Sequence, residues 1–169
     1  MIAEEFIEAN QKYAANFTPP KLNRRNIAVV TCMDPRVQPY EQLGLKIGEG
    51  GIIRNASGSA EEAIHSLVVI QHVFKVTQIA VVHHTDCGAT KFTTEWLRDK
   101  VKAANPGRDD VVKTIDGMDW HNFTDVEESV KRDLKYLAEN PLVVKGTKVT
   151  GWIYDVDTGK ISQVGDVVV

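Results

Sequence analysis

Two short runs of apolar, largely β-branched residues, at 27–30 and 79–82, most constrain how this chain can fold. Neither run alternates with polar residues, which is typical of strands in a parallel sheet that is covered on both faces. Polar side chains follow both runs: Cys32 comes after the first, and His83 and His84 come after the second. Because functional groups collect at the carboxyl ends of strands in such sheets, we expect these side chains to share a site.

The rest of the sequence alternates helices with strands. Apolar residues at helical spacing predict four helices, at 2–17, 60–75, 91–104 and 124–140. Short apolar runs predict strands at 26–31, 51–54, 78–84 and 148–154, with a last strand at 160–164 that pairs back across a turn at 157–159. We therefore expect a single α/β domain over 1–169, with a mainly parallel sheet flanked by helices, an N-terminal helical arm over 1–20 and a C-terminal edge hairpin.

Local features add detail to this prediction. Thr124 followed by Glu127 is a capping-box pattern, which would start the last helix. Segment 105–122 is polar and contains Gly and Pro, so we expect it to be irregular. The tryptophans are interpreted as packing residues: Trp96, which we expect to face inward, Trp120 and Trp152.

Composition argues against several classes of function. The 169-residue chain is 43% hydrophobic and 25% charged, with a net charge of −3, as is ordinary for a globular domain. Acidic and basic residues are mixed, so no patch indicates nucleic-acid binding, and no apolar stretch approaches the roughly 20 residues that span a membrane. Residues 1–17 lack the apolar segment of a signal peptide. We therefore expect a cytoplasmic protein, with neither nucleic-acid nor membrane partners, whose two cysteines are thiols or metal ligands rather than a disulfide.

The motifs Cys32-X-Asp34-X-Arg36 and His84-X-X-Cys87 indicate a metal site. Two thiolates and an imidazole are ligands that zinc prefers, and three protein ligands leave one tetrahedral position open for catalysis. His-X-X-Cys alone is a weak signal, but its combination with a cysteine at a second strand end is much more specific. Metal ligands are therefore predicted at Cys32, His84 and Cys87.

Neighbouring residues are assigned supporting roles. Asp34 can accept a hydrogen bond from the oxygen on the zinc, and Arg36 can hold Asp34 ionised and in place. Asp34 could instead replace water on the zinc and give a closed, inactive form. The remaining polar residues near these motifs are interpreted as structural: His83 on the opposite face of its strand, Asp86 in the turn, and Arg54 and Asn55 as ties near the cleft.

Three motifs together resemble the β-class carbonic anhydrases: Cys32-Met-Asp-Pro-Arg36, Ile53-Arg-Asn-Ala56 and His84-Thr-Asp-Cys-Gly88. The resemblance covers most of the chain and includes the hairpin at 155–159. It implies a parallel-sheet α/β fold, zinc ligands at Cys32, His84 and Cys87, and an Asp34–Arg36 dyad that serves the fourth ligand. It also implies paired subunits, with the N-terminal helix reaching over the partner and a cleft lined from both subunits.

The function implied by the resemblance is reversible hydration of carbon dioxide to bicarbonate by hydroxide held on the zinc. Ser57, His65 and Ala89 depart from the family pattern near the cleft, which leaves substrate preference open. Carbonyl sulfide hydrolysis at the same zinc site is the alternative, and carbon disulfide hydrolases share the motifs. A structural zinc protein and a thiol-redox protein are non-enzymatic alternatives, and a zinc deaminase is disfavoured because its Cys-X-X-Cys motif is absent.

Overall fold

A five-stranded sheet forms the centre of the computed structural model, which describes residues 2–169. The strands are β1 (Ala28–Cys32), β2 (Gly51–Asn55), β3 (Gln78–His84), β4 (Lys148–Tyr154) and β5 (Ile161–Val168). Their spatial order is β2-β1-β3-β4-β5; the first four are parallel, and β5 runs antiparallel to β4. The predicted α/β class, with a mainly parallel sheet and a C-terminal edge hairpin, is confirmed, although β5 extends four residues beyond the predicted end at 164.

Helices connect and cover the strands. They are α1 (Ile2–Ala15), α2 (Pro39–Gln42), α3 (Ala60–Phe74), α4 (Thr94–Ala103), α5 (Asp109–Asp116) and α6 (Val126–Glu139), with a 3₁₀ turn at Gly88–Thr90. The sequence of α3 defines both of its ends. Ser59 accepts a hydrogen bond from the Glu62 amide at its start, and Lys75 ends it in the left-handed conformation.

Three sequence-based expectations are wrong in detail. Segment 105–122 contains α5, because Val111, Val112 and Ile115 form an apolar side that the Gly and Pro before them obscure. The cap of α6 is Asp125, whose carboxylate accepts from the amides of Glu127 and Glu128; Thr124 does not cap the helix. The side chain of Trp96 is 51% exposed and does not face inward.

The sheet is buried on two faces, which explains the uninterrupted apolar runs. Val30 and Val81 pack under α3 and α6, while Val29 and Val82 face the other side. Gly151 in β4 lies directly under α6, where a Cβ atom would come within 2.4 Å of a methyl group of Val130. The absence of a side chain at this position allows α6 to approach the sheet closely.

Helix α1 contributes no buried residue to this core. Its apolar side chains face solvent in the single chain, with Phe6 65% and Tyr13 59% exposed. Met1, the first residue of the predicted arm, lies outside the described residues. Within residues 2–169, no helix has the length and apolar character required to cross a membrane.

Chain order brings the ends of β1 and β3 together. Strand β2 lies next to β1 in one direction across the sheet, and β3 lies next to β1 in the opposite direction. Adjacent strands whose connections diverge in this way leave a crevice at their carboxyl ends. The predicted site residues follow these two strands.

Candidate metal centre

Cys32, His84 and Cys87 meet at this crevice. Cys32 is the last residue of β1 and His84 the last of β3, and the parallel register pairs Thr31 with Val82 just before them. One ligand atom from each of the three residues lies within 4.8 Å of the others, and the two sulfur atoms are 3.9 Å apart. All three residues are buried. The structure therefore brings the three predicted ligands together in a cluster that could hold one metal ion.

The imidazole of His84 is oriented for metal binding. Its Nδ1 lies 2.8 Å from the carbonyl oxygen of Thr85, and because a carbonyl only accepts, Nδ1 carries the proton. Nε2 therefore offers a lone pair. It is buried without a hydrogen-bond partner among the described residues, which is costly unless another group occupies the space in front of it. A metal ion between Nε2 and the two sulfurs fits this donor set.

The two thiols differ in acidity. The hydrogen bond from Cys87 lowers the pKa of Cys32 to about 4; burial opposes this shift and His84 reinforces it. The same hydrogen bond, together with burial, raises the pKa of Cys87. Burial lowers the pKa of His84, but the adjacent Cys32 thiolate outweighs this effect, and the pKa of His84 is raised. The pair thus holds one negative charge near neutral pH, and a bound cation would favour loss of the second thiol proton.

Asp34 and Arg36 form a bidentate pair beside the cluster. Arg36 donates from Nε to Oδ1 of Asp34 at 3.0 Å and from Nη2 to Oδ2 at 2.8 Å. These hydrogen bonds hold the pKa of Asp34 at about 2, so the carboxylate is ionised throughout the neutral range. Its Oδ2 lies 4.0 Å from Nε2 of His84. The structure therefore places the predicted dyad next to the free lone pair of the histidine.

Arg54 fixes the loop that carries Asp34. Its guanidinium donates to the carbonyl oxygen of Cys32 at 3.1 Å and to that of Asp34 at 2.7 Å. Asn55 donates to the carbonyl oxygen of Ser59 at 2.8 Å. Both residues hold the backbone in place, which agrees with the structural role that the sequence predicts for them.

A cavity of about 490 Å³ opens beside the cluster. Cys32, Asp34 and Cys87 are among its lining residues. The lining also includes Ser57 and Ala89, two positions at which the sequence departs from the pattern it otherwise resembles, together with apolar side chains: Met33, Phe92 and Trp120. Sequence reasoning missed Phe92 and assigned Trp120 to packing, because neither lies in a motif.

His83 lies on the opposite face of β3 from the cluster. It is fully buried, with Nδ1 2.6 Å from the hydroxyl of Ser129 and Nε2 3.1 Å from Oδ2 of Asp133. The same carboxylate oxygen accepts from the amide of Ala60 at 2.9 Å. His83 thus joins β3 to α6 and to the start of α3, in agreement with a structural role.

Comparisons with known proteins identify the family of this chain. The carbonic anhydrase family model matches residues 27–161. Beta-carbonic anhydrase 1 of Mycobacterium tuberculosis is 33% identical over 96% of this chain and 98% of its own length. The structure of a carbonic anhydrase from Glaciozyma antarctica superposes with a TM-score of 0.86 at 34% identity, covering 94% of this chain and 95% of that one. Carbon disulfide hydrolase of an Acidianus strain is 26% identical over 99% of this chain and 93% of its own length. The chain belongs to the β-carbonic anhydrase family.

Proposed function

We propose that this protein catalyses the zinc-dependent, reversible hydration of carbon dioxide to bicarbonate. The observation that carries the proposal is the buried cluster of Cys32, His84 and Cys87, whose unpartnered Nε2 faces the ionised pair of Asp34 and Arg36. Three protein ligands leave one position for a reactant, which is the arrangement of catalytic rather than structural zinc.

Each residue has a defined part in this proposal. Zinc bound by the cluster would act as a Lewis acid that lowers the pKa of a water molecule and supplies hydroxide near neutral pH. The Asp34 carboxylate can only accept hydrogen bonds, so it would hold the hydroxyl hydrogen of the nucleophile and direct its lone pair toward the substrate. Arg36 fixes the carboxylate by two parallel hydrogen bonds. We assign Asp34 as catalytic and Arg36 as the residue that orients it.

The cavity suits a small, uncharged substrate. Met33, Ala89 and Phe92 give it apolar walls, which carbon dioxide can enter without losing strong hydrogen bonds to water. The same walls would admit a molecule in which sulfur replaces oxygen. Because a carbon disulfide hydrolase is among the relatives, hydrolysis of carbonyl sulfide or carbon disulfide at this site is the second candidate function.

One assay separates these candidates. The purified, zinc-loaded protein is given carbon dioxide and carbonyl sulfide in parallel, with carbon disulfide as a third substrate, and kcat/KM is measured for each. We expect rapid hydration of carbon dioxide and slow release of hydrogen sulfide. Rapid sulfide release with negligible hydration would replace the first function with the second. The Cys32→Ser variant is the control, because activity that survives it does not come from this site.

We also propose that the protein acts as a homodimer or a larger homo-oligomer. Helix α1 exposes Phe6, Ile7 and Tyr13, and none of them is covered within the single chain. An apolar helix side of this kind is stable in water only when it packs against another surface. The arm over 1–20 would supply this contact to a second copy.

A further inference from the structure

Asp86 occupies a constrained position between two of the predicted ligands. It lies in the turn that separates His84 from Cys87, and its backbone adopts a left-handed conformation with φ of 49°. Aspartate tolerates this conformation better than most residues. The Asp86 carboxylate contacts Arg36 in the loop that follows β1, and Asp86 is not among the residues that line the cavity.

Arg36 contacts Asp86 through two atoms. Its Nη1 donates to Oδ2 of Asp86 at 3.0 Å, and its Nη2 donates to the Asp86 carbonyl oxygen at 3.0 Å. The other side of the same guanidinium holds Asp34. Because the guanidinium is rigid and planar, fixing one edge also fixes the edge that faces Asp34.

The Asp34 carboxylate has a competing position close by. Its Oδ2 is 4.0 Å from Nε2 of His84, the lone pair that the cluster directs at a metal. Carboxylate oxygens are also zinc ligands, so an Asp34 released by Arg36 would need only a small movement to take the open position. The two hydrogen bonds from Arg36 oppose this movement.

We propose that Asp86 is a positioning residue that acts through Arg36 to keep the Asp34 carboxylate off the open metal position. The inference rests on the proposed function, since it requires a metal at the cluster. In this proposal Asp86 does more than shape its turn. Through Arg36, it links the segment after β1, which carries Asp34, to the turn between His84 and Cys87.

Lys91 provides a matched control. Its Nζ contacts Oδ1 of Asp86 at 2.8 Å from the solvent side, with the Lys91 side chain 65% exposed. Lys91→Met therefore removes an ion pair from the same carboxylate without removing a contact of Arg36. Asp86→Gly is the test variant, because glycine accepts the left-handed backbone without strain and so limits distortion of the turn.

The experiment measures access to the open position directly. Protein loaded with cobalt(II) in place of zinc is titrated with azide, and the dissociation constant is read from the visible absorption of the metal. We expect Asp86→Gly to weaken azide binding about tenfold, because azide must then displace Asp34 from most molecules. Lys91→Met should bind azide as the parent does. Adding Asp34→Ala to Asp86→Gly should restore the affinity to that of Asp34→Ala alone.

The outcomes separate the two proposals. Unchanged azide affinity in Asp86→Gly would overturn the role of Asp86. A loss of azide affinity that adding Asp34→Ala does not restore would also overturn it, because such a loss reflects a distorted loop. Either result leaves the proposed function intact if the parent hydrates carbon dioxide. A parent protein that takes up no cobalt or zinc would overturn both.

Discussion

His83 and His84 are adjacent in β3, yet their imidazoles lie on opposite faces of the sheet. His84 joins the two cysteines at the crevice, whereas His83 is hydrogen-bonded to Ser129 and Asp133 of α6. This division follows from the alternation of side chains along a strand. The hydrogen bonds of His83 to α6 therefore hold the end of β3 in place, and with it the position of His84.

Asp133→Ala should destabilise the protein substantially. The substitution leaves Nε2 of His83 and the amide of Ala60 without their acceptor in a buried place. We expect the free energy of unfolding to fall by about 2–4 kcal/mol, measured by urea denaturation. Lys135→Ala on the exposed side of α6 is the control and should change it by less than about 0.5 kcal/mol. An effect no larger than that of the control would refute the structural role of this network.

Cys32→Ser should abolish zinc binding. The parent is expected to hold about one zinc ion per chain, because Cys32, His84 and Cys87 converge on one position. Elemental analysis of the purified proteins checks this, and removal of the metal by a chelator should lower the Tm of the parent but not of the variant. His72→Ala alters an exposed histidine and should retain the metal. Full zinc content in Cys32→Ser would exclude this residue as a ligand.

Asp34→Ala should lower kcat/KM for carbon dioxide by about 10-fold to 100-fold while zinc content is unchanged, because the nucleophile loses the acceptor that orients it. The chain offers a close control. Arg108 and Asp110 form a bidentate pair with the same two-residue spacing, but on the surface. Asp110→Ala should therefore leave kcat/KM unaltered. Equal activity in both variants would remove Asp34 from the mechanism.

Phe6→Glu should weaken self-association. It places a charge in the apolar side of α1, where Phe6 is 65% exposed in the single chain. We expect the dissociation constant of the oligomer to rise at least about tenfold, measured by sedimentation at several protein concentrations. Gln11→Glu introduces the same charge on the polar side of the helix and should have little effect. A parent that sediments as a monomer would contradict the proposed assembly.

Much of the site could be predicted from sequence because its residues follow strands. The apolar runs before Cys32 and His84 define two buried strands, and a parallel sheet then requires their ends to lie on one edge. The spacing of Cys87 from His84 adds the third ligand through a local turn. Both inferences depend on short-range patterns in the sequence, namely apolar runs and the spacing of nearby residues.

Other contacts could not be predicted, because they depend on how distant parts of the backbone are arranged relative to one another. The contact between Arg36 and Asp86 joins residues 50 positions apart and requires the left-handed turn at Asp86. Trp120 reaches the cavity wall only through the path of the chain after α5, a helix that the polar composition of 105–122 conceals. Nothing in the local sequence of Trp120 distinguishes a wall residue from a packing residue.

The cavity beside the metal-ligand cluster is lined by residues from different parts of the chain. Cys32 ends β1, whereas Ala89, Phe92 and Trp120 belong to segments outside the sheet. Substitutions in those segments can change the size and polarity of the entrance without altering the sheet register on which the ligands depend. Such substitutions offer a physical route by which proteins that share this sheet could differ in substrate, and the relatives of this chain include both carbonic anhydrases and carbon disulfide hydrolases.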